Sequence, residues 1–135
     1  SVERLKRIAP SNVKFTGYLS DDDLLRCYQR AKVYCQISLY EGLPNALCEA
    51  MLCGCIPVGT ERNGIPNAIG DTGFYVPYGD PEATADAISK ALEAPESLGD
   101  RARERIMRLF PVKRREAGLL EAIEEVRGYH RRAPA

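Results

Sequence analysis

Apolar positions along this chain alternate between short strand-type runs and helical spacing. Residues 33–37, Val-Tyr-Cys-Gln-Ile, form a short run with β-branched and aromatic side chains that predicts a strand. Residues 46–52 are apolar nearly all round and close at Gly54, which predicts a buried helix with glycine at C′. Further strand-type runs stand at 13–17, 56–58 and 74–76. Between them lie helix signals, beginning with a helix tail over 2–9. Ser20 caps the next helix, with Asp21, Asp22 and Asp23 in its first turn and Leu24, Leu25, Tyr28 and Ala31 facing inward. Asp80-Pro81 opens another, with Thr84, Ile88, Ala91 and Leu92 on one face. Ser97 opens the next, and 113–129 carries Leu119, Ile123 and Val126 at helical spacing. Residues 59–73, rich in Gly, Asn and Pro, read as a loop. Strand and helix in this order predict an α/β fold, a Rossmann-like parallel sheet with flanking helices.

Size and charge narrow the functional classes. The 135 residues suit one domain, 1–135, with a real core. Lys plus Arg and Asp plus Glu number 19 each, so the chain lacks the basic excess of a nucleic-acid binder. No apolar run reaches membrane-spanning length and no signal-peptide pattern opens the chain, so a soluble, cytoplasmic setting is expected. Cys27, Cys35, Cys48, Cys53 and Cys55 are an odd set without secretory context, so disulfides are not expected, and the cluster Cys48, Cys53 and Cys55 lacks Cys-x-x-Cys spacing, so small buried thiols are expected there rather than a metal site. His130 lies in a charged tail beside Arg131 and Arg132 with no nucleophile to serve. The arginines between 101 and 115 read as a solvated helix face.

The chemistry concentrates in residues 41–49, Glu-Gly-Leu-Pro-Asn-Ala-Leu-Cys-Glu. Pro44 suits the first helical position, leaving the amides of Asn45 and Ala46 pointing out of the helix start. Such amides and the positive dipole end favour an anion such as phosphate, at the carboxyl end of a strand where α/β folds bind ligands. A structural reading stands beside this one. Ser38-Leu39-Tyr40-Glu41 spells a capping box, and an acid before a helix is favoured by the dipole alone. Glu49 is harder to explain that way, because a carboxylate on an apolar helix needs a partner or a cleft.

The series Val13-x-Phe15-x-Gly17, Tyr28-x-x-Ala31, Ser38-x-x-Glu41-Gly42-Leu43-Pro44, Glu49-Ala50-Met51, Gly54-x-x-Pro57-Val58, Asn63-Gly64-Ile65-Pro66 and Gly73-Phe74-Tyr75-Val76-Pro77 resembles the C-terminal, donor-binding half of retaining GT-B glycosyltransferases of group 1. The resemblance implies transfer of a sugar from a nucleotide diphosphate with retained anomeric configuration. It implies that Glu41 contacts the donor sugar and acts catalytically by orienting and stabilising. Glu49 would accept the ribose hydroxyls, the segment around Gly42, Leu43, Asn45 and Ala46 would hold sugar and diphosphate, and Leu19 would meet the base through its backbone. No cofactor or metal is implied, since helix dipoles and basic side chains meet the diphosphate charge.

Two departures from the family pattern stand out. Asn67 replaces a frequent Glu, and the pattern begins at the helix before the 13–17 strand, so the family's first two strands and the N-terminal acceptor domain are expected outside this chain. In the strand order 3-2-1-4-5-6 those strands separate the 13–17 strand from the 33–37 strand. A rearranged sheet, a swapped dimer or a complementing chain follows as an expectation, with the isolated fragment inactive. The alternative is a non-catalytic binding module that keeps the fold.

Overall fold

The structure is a computed structural model that describes residues 2–39 and 44–110. Three parallel strands, β1 (Val33–Gln36), β2 (Ile56–Thr60) and β3 (Phe74–Val76), lie in the order β1-β2-β3. Val33 pairs with Ile56 and Gln36 with Gly59, while Val58 pairs with Phe74 and Thr60 with Val76. Helices connect and flank them: α1 (Val2–Ile8), α2 (Asp21–Arg30), α3 (Asn45–Leu52), α4 (Ile65–Ile69), α5 (Pro81–Glu93) and α6 (Glu96–Leu109). The expected α/β, Rossmann-like parallel sheet is what forms. No helix among the described residues is long and apolar enough to cross a membrane.

Central β2 is buried at every position, as a parallel strand covered on both faces must be. One face carries the larger core, built from Tyr28 of α2, Leu47, Met51 and Leu52 of α3, Ile65 and Ile69 of α4, and Ile106 of α6. The other face packs Ile56, Val58 and Val76 against Ala87 and Ala91 of α5. Helix boundaries follow local chemistry. The Ser20 hydroxyl accepts from the Asp23 amide and Asp80 from the Ala83 amide, each satisfying an otherwise orphan donor. Gly54, at φ 85, takes the left-handed C′ position after α3. Cys48, Cys53 and Cys55 are buried, and the Cys55 thiol donates to the carbonyls of Tyr28 and Ala31.

Several sequence expectations are corrected. Residues 13–17 form no strand: Val13 turns back to donate to the Pro10 carbonyl, Phe15 is exposed, and the segment pairs with none of the three described strands. Residues 59–73 are more than a loop, because β2 continues to Thr60 and the apolar Ile65-Pro66-Asn67-Ala68-Ile69 closes a buried turn of helix. Pro44 is the N-cap of α3 rather than its first residue, and α6 opens at Glu96. Ala31 ends α2 in extended backbone and is exposed. On α5 the inward stripe runs through Ala87 and Ala91, leaving Leu92 exposed. Ser38 does not cap α3; its hydroxyl accepts from Gln36 instead. The helix expected over 113–129 lies outside the described residues.

Candidate functional site

The carboxyl end of β1 and the amino ends of α2 and α3 surround one place. Leu19, half-buried, precedes the Ser20 cap of α2. Asp21, two residues on, acts electrostatically on Glu49 of α3. Glu49 itself is half-buried, with Cys48 and Ala50 fully inside on either side. Burial first, and the neighbouring Asp21 second, push its carboxyl up to about 7. Its charge also reaches Tyr28 and Cys48; burial and then Glu49 raise both, Cys48 to about 12, so that thiol stays protonated. The sequence-predicted base and ribose positions, Leu19 and Glu49, are thus brought to neighbouring elements.

The N-cap of α3 is a proline. Pro44 is buried, makes no side-chain cap hydrogen bond of its own, and takes the Cys48 amide on its carbonyl. Asn45 is exposed and Ala46 half-buried, at the positions whose amides have no intrahelical acceptor. Glu41, Gly42 and Leu43 lie outside the described residues.

The segment leading to them is held by side chains that the sequence reading passed over. Thr60, fully buried, donates its hydroxyl to the Ser38 carbonyl at 2.6 Å and accepts from the Ser38 amide at 3.2 Å. Asn63, at a left-handed φ of 48, donates from Nδ2 to the Leu39 carbonyl at 3.1 Å. Along β1, the Tyr34 hydroxyl donates to Gln36, whose amide donates to the Ser38 hydroxyl, both at 2.9 Å. The one signal for this row was the spacing of Tyr34, Gln36 and Ser38 at every second residue, which puts polar groups on one face.

Other expected groups have different work. Asn67 is exposed, and its carbonyl accepts from Arg105, which also donates to the Ala68 carbonyl at 2.9 Å. That corrects the solvated-face reading of the arginines for Arg105, while Arg101 pairs with Asp71 on the surface. A hollow of about 350 Å³ at the carboxyl ends of β2 and β3 is lined by Glu61, Arg62, Tyr75 and Tyr78. A hollow of about 320 Å³ beside Gln29, Lys32 and Gly54 lies at the amino end of the sheet, away from Glu49. Among the described residues no group of three or more His, Cys, Asp or Glu is placed to hold a metal.

Residues 1–94 match the model of the family described as Glycosyl transferases group 1. The chain belongs to that family. The matched span contains both Glu41 and Glu49, and also Thr60 and Asn63, which bond Ser38 and Leu39. This group 1 glycosyl transferase chain is similar to the serotype-specific mannosyltransferase WbdA of Escherichia coli, 37% identical over 75 residues, which are 51% of this chain and 9% of WbdA. It is similar to the O-antigen chain mannosyltransferase B of Escherichia coli, 31% identical over 81 residues, 60% of this chain and 21% of that protein. A third relative is the MMP alpha-(1->4)-mannosyltransferase of Mycolicibacterium hassiacum, 32% identical over 99 residues, 68% of this chain and 24% of that protein. The chain therefore spans a quarter or less of the length of these relatives.

Proposed function

We propose that the chain is the nucleotide-sugar-binding part of a retaining glycosyltransferase of the GT-B type, which transfers a hexosyl group to a glycan, lipid or small acceptor. The observation that carries the reading is the half-buried Glu49 beside the amino end of α2, one turn down a helix whose N-cap residue, Pro44, has no side-chain group to cap it. A carboxylate there accepts two neighbouring ribose hydroxyls, and the amides of Asn45 and Ala46 meet the diphosphate with the dipole of α3 behind them. Charge on the leaving diphosphate is then balanced without a metal. Glu41 orients the sugar and stabilises the transition state, and the acceptor is held by a further domain. Three mannosyltransferases among the relatives make mannose the first sugar to test.

The test titrates the chain with UDP-, GDP- and ADP-sugars by calorimetry, and assays transfer in the parent protein. Saturable binding of one base, lost in Glu49→Ala, and transfer lost in Glu41→Gln with the fold intact, is the expected result. Absence of binding in both chain and parent, with transfer unchanged by Glu49→Ala, overturns it.

A further inference from the structure

We propose that the hollow at the carboxyl ends of β2 and β3 is a carbohydrate subsite for the acceptor, which makes the acceptor a glycan; the acceptor role rests on the donor reading above. Its walls come from two neighbouring strands. Thr60 of β2 pairs with Val76 of β3, so Glu61 and Arg62 leave one strand beside Pro77 and Tyr78 leaving the other. Tyr75 completes a hollow of about 350 Å³, at the small end of the range for ligand pockets, roughly 300–1,000 Å³. The carboxyl ends of parallel strands are where α/β sheets bind ligands.

The walls are held before any ligand arrives. Tyr75 is half-buried, and its hydroxyl donates to the Gly70 carbonyl at 2.7 Å. Tyr78 stands between Pro77, whose ring fixes φ, and Gly79, which turns the chain at φ 78. Its own ring is 49% exposed, an apolar surface with a wet hydroxyl end. Backbone closes the turn after β2: the Arg62 amide donates to the Thr60 carbonyl, and the Ile65 amide to the Arg62 carbonyl. Among the described residues, Glu61 and Arg62 form no ion pair with each other or with a third group. The hydrogen-bonding capacity of both side chains is unspent.

The chemistry of these walls selects the ligand. One acid and one base leave no net charge, which disfavours a free phosphate or carboxylate and fits a neutral molecule. That molecule must donate to Glu61 and accept from Arg62. It must also offer an apolar face to a phenol ring. A pyranose does all three, with neighbouring hydroxyls for the carboxylate, oxygens for the guanidinium and a C–H face for the ring. A nucleobase would stack too, but the donor reading puts the base at α2, beside β1. In the order β1-β2-β3, β3 lies two strand spacings from β1, about 10 Å. One glycan can reach from the start of α3 into the hollow over that distance.

Two-dimensional NMR on the chain tests this, with methyl α-hexopyranosides of gluco, manno and galacto configuration and their α-linked disaccharides as probes. UDP, GDP and ADP are titrated separately. Saturable shifts at Glu61, Arg62, Tyr75 and Tyr78 are expected with at least one glycoside. Binding should weaken about tenfold in Tyr78→Ala and in Glu61→Gln and stay near wild type in Tyr78→Phe, with nucleoside diphosphate binding unchanged in all three. In the parent protein, Tyr78→Ala should raise KM for a glycan acceptor about tenfold and leave KM for the donor alone. No saturable shift with any glycoside, or shifts that survive Tyr78→Ala, overturns the subsite. Hydrogen exchange showing residues 75–78 protected in the parent protein and unmoved by every glycoside also overturns it, because the hollow is then filled by protein. A donor KM that rises in place of the acceptor KM overturns the acceptor role. A chain that binds a glycoside in the hollow and no nucleoside diphosphate overturns the donor reading, and the acceptor role with it.

Discussion

Gly99 of α6 lies so close to Gly54 that a Cβ on Gly99 would meet the Gly54 carbonyl oxygen at 2.2 Å. This contact seats α6 on the turn between α3 and β2, next to Ala102 and Ile106 in the main core. The obstacle is backbone, held by Gly54 in its left-handed conformation, so it cannot swing aside as a side chain would. Gly99→Ala is expected to destabilise the chain by roughly 1–3 kcal/mol, despite alanine's better helix propensity. Chemical denaturation reads this directly, and a midpoint equal to wild type would show that α6 can shift without cost.

Arg105 ties α6 to α4 in a second way. Its Nε and NH2 groups donate to the Ala68 and Asn67 carbonyls, at the end of a helix too short to satisfy them itself. The Thr72 amide and hydroxyl take the Ile69 carbonyl, and the Tyr75 hydroxyl takes that of Gly70 at 2.7 Å. Arg105→Met keeps the aliphatic packing and removes both bonds, and about 1–2 kcal/mol of stability should go with them. Arg105→Lys should not restore it, because one ammonium lacks the planar fork that reaches two carbonyls. Equal midpoints for the Lys variant and wild type would refute the fork.

Ser20 closes the amino end of α2 through its bond to the Asp23 amide. Ser20→Ala leaves that donor and the three acids of the first turn without their cap, at an expected cost of about 1 kcal/mol. Ser20→Asp should recover most of the loss. Thermal melts of the three proteins check the order; a Ser20→Ala melt indistinguishable from wild type would remove the cap from the account.

Much of this molecule could be read from the sequence where information is local. Phe74–Val76 and the caps at Ser20 and Asp80 are spelled by neighbouring residues, and they form as written. Residues 13–17 spell a strand equally well, but a strand exists only against a partner, and among the described residues they have none. The short helix α4 was hidden for a related reason. Its five residues are too few for periodicity, and its stability comes from Ile65 and Ile69 packing in the core, with Ile65 so close over Gly59 that a Cβ there would lie 2.7 Å away. At the site, Glu49 was legible because a lone acid on an apolar helix demands an explanation. Thr60 was not, since its bonds to Ser38 depend on where two strands of different length stop.

On the proposed donor-site reading, Glu49 is expected to make stability and donor binding respond to pH in opposite directions. Its carboxyl sits at about 7 in the folded chain against 4.5 as the ordinary value, through burial and then Asp21. Between those values the unfolded chain has released the proton and the folded chain still holds it, so the folded state binds more protons and stability falls as pH rises. The contribution is fully present below about 4.5 and lost by the time pH has risen through about 7. At about 1.4 kcal/mol per pKa unit, reduced by solvent access to the half-buried group, the loss amounts to roughly 1–2 kcal/mol. Ribose hydroxyls donate, so they are best met by the ionised form, and donor affinity should strengthen as pH rises through the same region. Glu49→Gln, uncharged throughout, should flatten both profiles, raise stability above pH 8 and bind donor weakly at every pH. Denaturation midpoints and donor titrations from pH 5 to 8.5 separate the two effects. A wild-type affinity that falls with rising pH would show that Glu49 does not receive the ribose as a carboxylate.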